Sequence, residues 1–316
     1  MAAAVRLSAR ARPIAHPNPG VAAILVKEGR VIARGWTQSG GRPHAEASAL
    51  QNVTPAQAKG STLFVTLEPC AHQSERGPAC ADLVIASRPA RVVIGALDPD
   101  PRTAGNGAAR IAKAGIAVTV LDDANARASL CGYFTRAELG RPRVTLKLAT
   151  SLDGCIALAD GSSQWITGES ARAHVHAIRA RHDAICVGGA TWRSDKPRLD
   201  VRLPGLEDRS PARVLLSRGV PPDGVRVINR PEQIADLDDT LSIYVEGGAG
   251  AAASFLAADL VDEIHLYRAP IVIGNGLRSL GDIGLTELAS AHGRWEQSER
   301  RQLGSDEFTA YLRTRN

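Results

Sequence analysis

Residues 43–80, PHAEASALQNVTPAQAKGSTLFVTLEPCAHQSERGPAC, decide how the first half of the chain is read. His44, Cys70 and Cys80 are one imidazole and two thiols, a borderline-soft donor set that suits Zn²⁺ and leaves a fourth tetrahedral position for water. Glu46 stands two residues beyond the histidine. An HxE followed by PC and a further cysteine is the pattern in which zinc makes hydroxide and a non-ligating glutamate carries protons to the leaving amine. The stretch therefore reads as a zinc deaminase. A structural zinc site would need a fourth protein ligand, and His72 is the nearest spare candidate. Glu46 at its offset and the strand Thr62–Leu67 that delivers Cys70 favour the catalytic reading.

Around this stretch, 316 residues exceed what one hydrophobic core usually fills, so two domains are expected. The net charge of +5 favours anionic ligands, yet the basic residues are scattered, and phosphorylated small molecules account for it without nucleic acid. Five cysteines is an odd number, and Cys131, Cys155 and Cys186 lie far apart without framework spacing, which fits a reducing cytoplasm. No uncharged apolar run approaches a membrane span. The Arg-bearing start MAAAVRLSARARP reads as a short helix leading into the fold rather than as a transit peptide.

Taken in order, residues 3–12 form that helix, and HPNPGVAAILV turns into a strand with Asn18 held between two prolines, which restrict its backbone. A hairpin strand (31–35) and the helix bearing His44 and Glu46 follow, then Thr62–Leu67 and a helix over 81–87. Strand ARVVIGAL, turn DPDPRTAGNG, a helix over 108–114, strand IAVTV and one long helix over 124–138 complete the first half, and Gly140 and Pro142 in ELGRPR are stop signals. The boundary is placed there, giving domains 1–143 and 144–316. The second half reads as strand VTLKLATSLDG, turn DGSSQWIT, a helix over 169–181, strands DAICVGGAT, ARVLLS and LSIYVEGG, helix AGAAASFLAA, and strands EIHLYRAPIVI and DEFTAYLR. This alternation implies α/β domains with sheets covered by helices. Gly248, Gly250 and Ala253 match GxGxxA between strand and helix, but no acidic residue follows at the Rossmann spacing, so a phosphate-binding turn in a non-Rossmann domain is expected.

HPNPGV, PHAE, TLEPCAH, GPAC, DPDPRTAGNG, KLATSLDG, SSQWIT and VEGG together resemble the RibD family of bifunctional riboflavin biosynthesis proteins, in which a pyrimidine deaminase is fused to a pyrimidine reductase. The resemblance implies an N-terminal cytidine-deaminase-like α/β/α sandwich and a C-terminal dihydrofolate-reductase-like α/β domain. It implies hydrolytic deamination of 2,5-diamino-6-ribosylamino-4(3H)-pyrimidinone 5′-phosphate with Zn²⁺, then reduction of the ribosyl group with NADPH. The zinc ligands fall on His44, Cys70 and Cys80, the proton-shuttling carboxylate on Glu46, and a pyrimidine-contacting amide on Asn18. Cofactor contacts fall on Ala149, Trp165, Thr191, Asp195 and the turn Gly248, Ala249, Gly250; substrate contacts fall on Ser163, Arg179, Leu199, Arg202 and Glu246. Both arginines suit phosphate, to which a guanidinium offers a fork of donors. A homo-oligomer through the reductase domain is also implied.

The chain departs from the family pattern in a short N-terminal helix and at two further places. The loop between Cys70 and Cys80 is one residue longer than the commoner form, keeps His72 and has Gln73 where a second histidine usually stands. After ARVLL, Ser217 and Arg218 stand where Asp-Ser is usual, and Arg218 could meet the extra phosphate of NADPH. A deaminase acting on nucleic-acid bases is the alternative reading; it should surround the pocket with aromatic residues, yet only 4% of the chain is aromatic.

Overall fold

The structure, a computed structural model, describes residues 1–72, 77–219 and 223–315. It divides into two compact units, Met1–Gly140 and Arg141–Asn316. Gln73 of the long loop lies outside the described residues.

The first unit is a five-stranded sheet built from β1 (Ala22–Lys27), β2 (Arg30–Trp36), β3 (Thr62–Leu67), β4 (Arg91–Ala96) and β5 (Ala117–Val120), in the order β2-β1-β3-β4-β5. β1 runs antiparallel to β2 and β3, while β3, β4 and β5 are parallel. The helices are α1 (Ala2–Ser8), α2 (Ala45–Leu50), α3 (Pro55–Ala58), α4 (Cys80–Ser87), α5 (Asn106–Lys113), α6 (Ala124–Ser129) and α7 (Cys131–Leu139). Leu25, Leu63, Val65, Ile94, Ile111 and Phe134 are among the side chains that form its core. α2 lies directly on β2 because residue 35 has no side chain: a Cβ there would stand 2.2 Å from Ala49 N. The single helix expected over 124–138 is two, broken at Leu130 (φ −114°, ψ 15°). Ser129 Oγ donates back to Ala126 O at 2.7 Å, and Leu130 and Phe134 both turn into the core.

The second unit centres on an eight-stranded sheet with β6 (Arg143–Thr150), β8 (Ala184–Gly188), β9 (Ala212–Leu216), β10 (Arg226–Ile228), β11 (Ser242–Val245), β12 (Glu263–Arg268), β14 (Trp295–Leu303) and β15 (Asp306–Arg313). The order is β10-β9-β8-β11-β6-β12-β15-β14, parallel up to β12 and antiparallel thereafter. β7 (Cys155–Ala157) pairs with β13 (Leu277–Arg278) in a separate ribbon. α8 (Glu169–Arg179), α9 (Gly189–Asp195) and α10 (Ala249–Ala257) complete the unit. Val144, Leu146 and Leu148 of β6 pack into one core cluster, so Thr145, Lys147 and Ala149 face the other side of the sheet.

Three expectations for this unit need correcting. The strand through DAICVGGAT stops at Gly188, and Gly189–Asp195 is helical. The strand through EIHLYRAPIVI ends at Arg268, because Pro270 has no N–H for the ladder and the N–H groups of Ile273 and Gly274 donate to the Asp153 carboxylate at 3.2 and 2.7 Å. β14 was not expected, because WEQSERRQL is polar on both faces; it is an edge strand paired to β15. Arg141 heads this unit, forking onto the buried Asp262 at 2.7 and 2.9 Å.

Candidate active sites

In the first unit, His44 is the N-cap of α2, Cys70 lies three residues beyond the end of β3, and Cys80 is the first residue of α4. Their ligand atoms lie within 4.8 Å of one another, and among the described residues this is the one such group found. His44 Nδ1 is 3.2 Å from Cys80 Sγ and 3.6 Å from Cys70 Sγ. A tetrahedral zinc with bonds of about 2.1 Å to nitrogen and 2.3 Å to sulfur separates such atoms by about 3.6 Å, so the donors already stand near ligating geometry. His72 is outside the group, so the described residues supply three ligands rather than the four of a structural site.

The two thiols share one proton: Cys70 and burial push the Cys80 thiol up, and Cys70 is the thiolate. The Cys70 thiol is held down to about 4, chiefly by a hydrogen bond from the Cys80 thiol and then by His44 and the Cys80 N–H, which donates to its sulfur at 3.2 Å. A low-pKa thiol is the metal-binding form. Glu46, in the first turn of α2, is buried, and burial raises its carboxyl to about 7. Asn18 lies against this site with its amide nitrogen 3.2 Å from Gly41 O and 3.3 Å from His44 Nε2. It thus touches a proposed ligand from behind, a contact that the sequence does not reveal.

Glu68 is a second residue that sequence reasoning missed. Its buried carboxylate accepts from the N–H groups of Asp98 (3.2 Å), Gly105 (2.9 Å) and Ala108 (2.9 Å). It ties the DPDPRTAGNG turn and the start of α5 to the strand that delivers Cys70. A Cβ at residue 107 would stand 2.0 Å from Pro69 O, so glycine is needed for that approach. The available signal was a carboxylate set between an apolar strand and a cysteine, in TLEPC.

In the second unit, all the cofactor and substrate positions expected there line one cleft of about 1510 Å³: Ala149, Ser163, Trp165, Arg179, Thr191, Asp195, Leu199, Arg202, Glu246, Gly248, Ala249 and Gly250. Ser217 and Arg218 line it too. Gly248 is the N-cap of α10 and donates its N–H to Thr191 Oγ1 at 3.0 Å. Two strand–Gly-Gly–helix junctions, after β8 and after β11, therefore meet at the ends of adjacent parallel strands, where helix N-termini suit phosphate. Trp165 is 65% exposed with the Arg172 guanidinium 4.8 Å from its ring, so it is not a buried plug. Leu199 is 3% exposed and packs in a core cluster, so its backbone (φ +57°) is what it can offer a ligand.

Arg179 differs from the expected phosphate fork. Its Nε and Nη2 donate to the Glu246 carboxylate at 2.5 and 3.0 Å, and its Nη1 donates to Asp200 O at 3.0 Å. Lys147 Nζ is 3.7 Å from Glu246. Burial alone would raise the Glu246 carboxyl, but Arg179 and Lys147 outweigh it and hold it below its ordinary value. Arg202, by contrast, keeps a half-exposed side chain and stands 3.6 Å from Asp200. Lys147 was also missed; its signal was a lone lysine in the apolar strand VTLKLAT.

Fold and sites together define a two-domain enzyme, a zinc-type deaminase joined to a reductase. The family model described as "Cytidine and deoxycytidylate deaminase zinc-binding region" matches residues 1–96, and the one described as "RibD C-terminal domain" matches residues 142–307. The riboflavin biosynthesis protein RibD of Escherichia coli is 36% identical over an alignment covering 97% of this chain and 96% of that protein. RibD of Mycobacterium tuberculosis is also 36% identical, covering 97% and 94%. A crystal structure of a diaminohydroxyphosphoribosylaminopyrimidine deaminase/5-amino-6-(5-phosphoribosylamino)uracil reductase from Thermotoga maritima matches with TM-score 0.88 and 30% identity, over 99% of this chain and 97% of that one. The chain belongs to the RibD family, with a deaminase domain and an NADPH-dependent reductase domain. Among the described residues, no helix is long and apolar enough to cross a membrane.

Proposed function

We propose that the first unit removes the ring amino group of 2,5-diamino-6-ribosylamino-4(3H)-pyrimidinone 5′-phosphate, and that the second reduces the ribosyl group to ribityl, giving 5-amino-6-ribitylamino-uracil 5′-phosphate. The observation that carries this reading is the buried Glu46 carboxylate beside the His44, Cys70 and Cys80 donors. Held by those donors, zinc would lower the pKa of water enough to supply hydroxide at neutral pH. Glu46 takes the proton released there and delivers one to the departing amine, and its burial keeps bulk water from competing. Asn18 contacts the pyrimidine from its place beside His44.

In the reductase half, NADPH supplies the hydride, and the chain's own residues position the sugar carbon against it. Thr191, Asp195 and the Gly248–Gly250 turn take the cofactor, with Trp165 offering a flat face and Ala149 leaving room beside β6. Glu246, braced by Arg179 and Lys147, holds the ring-opened sugar. With the Arg179 fork committed to Glu246, the substrate phosphate falls to Arg202. A homo-oligomer through the reductase unit and a cytoplasmic location belong to the same reading. The test is ammonia release from the phosphorylated pyrimidine with and without a zinc chelator, followed by NADPH oxidation on the deaminated product. Chelation should abolish the first signal and leave the second; chelator-resistant ammonia release would overturn the assignment.

A further inference from the structure

Helix α8 carries Arg172, His176 and Arg179 at i, i+4 and i+7, one stripe of the helix, and all three line the cleft. Each reaches a different candidate site residue. Arg172 lies over the Trp165 ring at 4.8 Å, His176 meets Arg202, and Arg179 forks onto Glu246. Trp165, Arg202 and Glu246 come from three separate loops, so one helix face holds together parts that the sequence scatters.

His176 is the member of the stripe that no motif points to. It is 9% exposed, and its two ring nitrogens both face Arg202: Nδ1 is 3.2 Å from the backbone N and Nε2 is 3.2 Å from Nη2. A neutral imidazole has one lone pair to offer, so only one of these contacts is a hydrogen bond. Because the backbone N–H cannot rotate away, it is the donor to Nδ1; the proton is then on Nε2 and faces the Nη2 donors at 3.2 Å, so the guanidinium gains by turning them elsewhere. The guanidinium then stands beside the ring edge without being neutralised by it; it is 3.6 Å from the Asp200 carboxylate, and its half-exposed side chain leaves donors for a ligand.

We propose that His176 is a positioning residue for the reductase, anchoring the Arg202 backbone through Nδ1 so that the guanidinium is presented to the phosphate of the substrate. This rests on the reading of Arg202 as the phosphate contact. Asparagine can supply an acceptor where Nδ1 stands, whereas alanine cannot. The experiment uses the full chain and compares His176→Ala, His176→Asn, Arg202→Ala and His176→Ala/Arg202→Ala, with KM for the deaminated phosphorylated substrate, KM for NADPH and kcat measured for each. Loss of one such anchoring bond should raise the substrate KM roughly 5- to 10-fold in His176→Ala, with little change in kcat or in KM for NADPH. His176→Asn should recover to within about threefold of the parent, and in the Arg202→Ala background His176→Ala should add nothing further. A multiplicative double variant, or an asparagine variant as impaired as the alanine one, would overturn the positioning role. An Arg202→Ala enzyme with unchanged substrate KM would instead overturn the phosphate reading on which it rests.

Discussion

The two candidate sites are built in opposite ways. The zinc donors and Glu46 come from residues 44–80, from the ends of two helices and one strand. The reductase cleft draws its lining from residues 147–280, across several strand ends and loops. The difference follows from what each chemistry requires. A metal demands particular donor atoms at set separations, so imidazole, thiol and carboxylate leave a compact mark in the sequence. A nicotinamide brings its own reactivity and asks the protein for shape, which Ala149 and Leu199 can supply without any chemical signature.

That contrast can be broken from either side. The largest effect is expected at the metal: Cys70→Ser should lose bound zinc and drop deamination to background, while NADPH-dependent reduction stays within about twofold of the parent because each site is built within its own compact unit. Metal analysis and the two separate assays decide it, and a matching loss of reduction would mean that the sites are coupled. Next, Glu246→Gln should lower the reductase kcat on the order of 100-fold, since a misplacement of about 1 Å can cost that much. Glu246→Ala should in addition destabilise the protein by about 3–5 kcal/mol by stranding Arg179, whose side chain is only 13% exposed. Thermal unfolding of both variants separates the two effects.

A smaller effect is expected at the boundary. A reductase fragment beginning at Arg141 should be more stable than one beginning at residue 144 by about 2 kcal/mol. The shorter one loses the Arg141 fork on Asp262, and Arg315 at 2.6 Å compensates only in part. Equal urea midpoints would show that Arg141 contributes nothing. The smallest is the pH response. Burial first, then Arg179 and Arg202, lower the pKa of His176, while Glu246 and Asp200 oppose them. The ring therefore stays neutral to lower pH than an ordinary histidine, and the substrate KM should rise, by up to about tenfold, only as the pH falls below the usual histidine range and protonation removes the Nδ1 acceptor. The substrate phosphate titrates near pH 6 as well, so His176→Asn is the control that should flatten only the protein's part of the rise.

Legibility followed the same contrast. Strand Thr62–Leu67 and the zinc triad could be read directly, because a short β-rich apolar run and donor spacing are local properties. Apart from the Gly248–Gly250 turn, which its GxGxxA spacing marks, the reductase positions come from the family resemblance, and even there the partnership of Arg179 with Glu246 is hidden, because nothing in a sequence pairs residues so far apart. β14 escaped because an edge strand with two polar faces has no hydrophobic alternation to detect. Glu68 and His176 escaped because each acts on backbone N–H groups rather than on a ligand. Such roles depend on where the chain folds back.

The most direct test of the deaminase–reductase account is Glu46→Gln in the full chain, with zinc content, ammonia release and NADPH oxidation measured on one preparation. The expected result is about one zinc per chain, deamination down by at least roughly 10²- to 10⁴-fold, and undiminished reduction of a substrate supplied already deaminated. Near-normal ammonia release from a zinc-replete Glu46→Gln protein would contradict it.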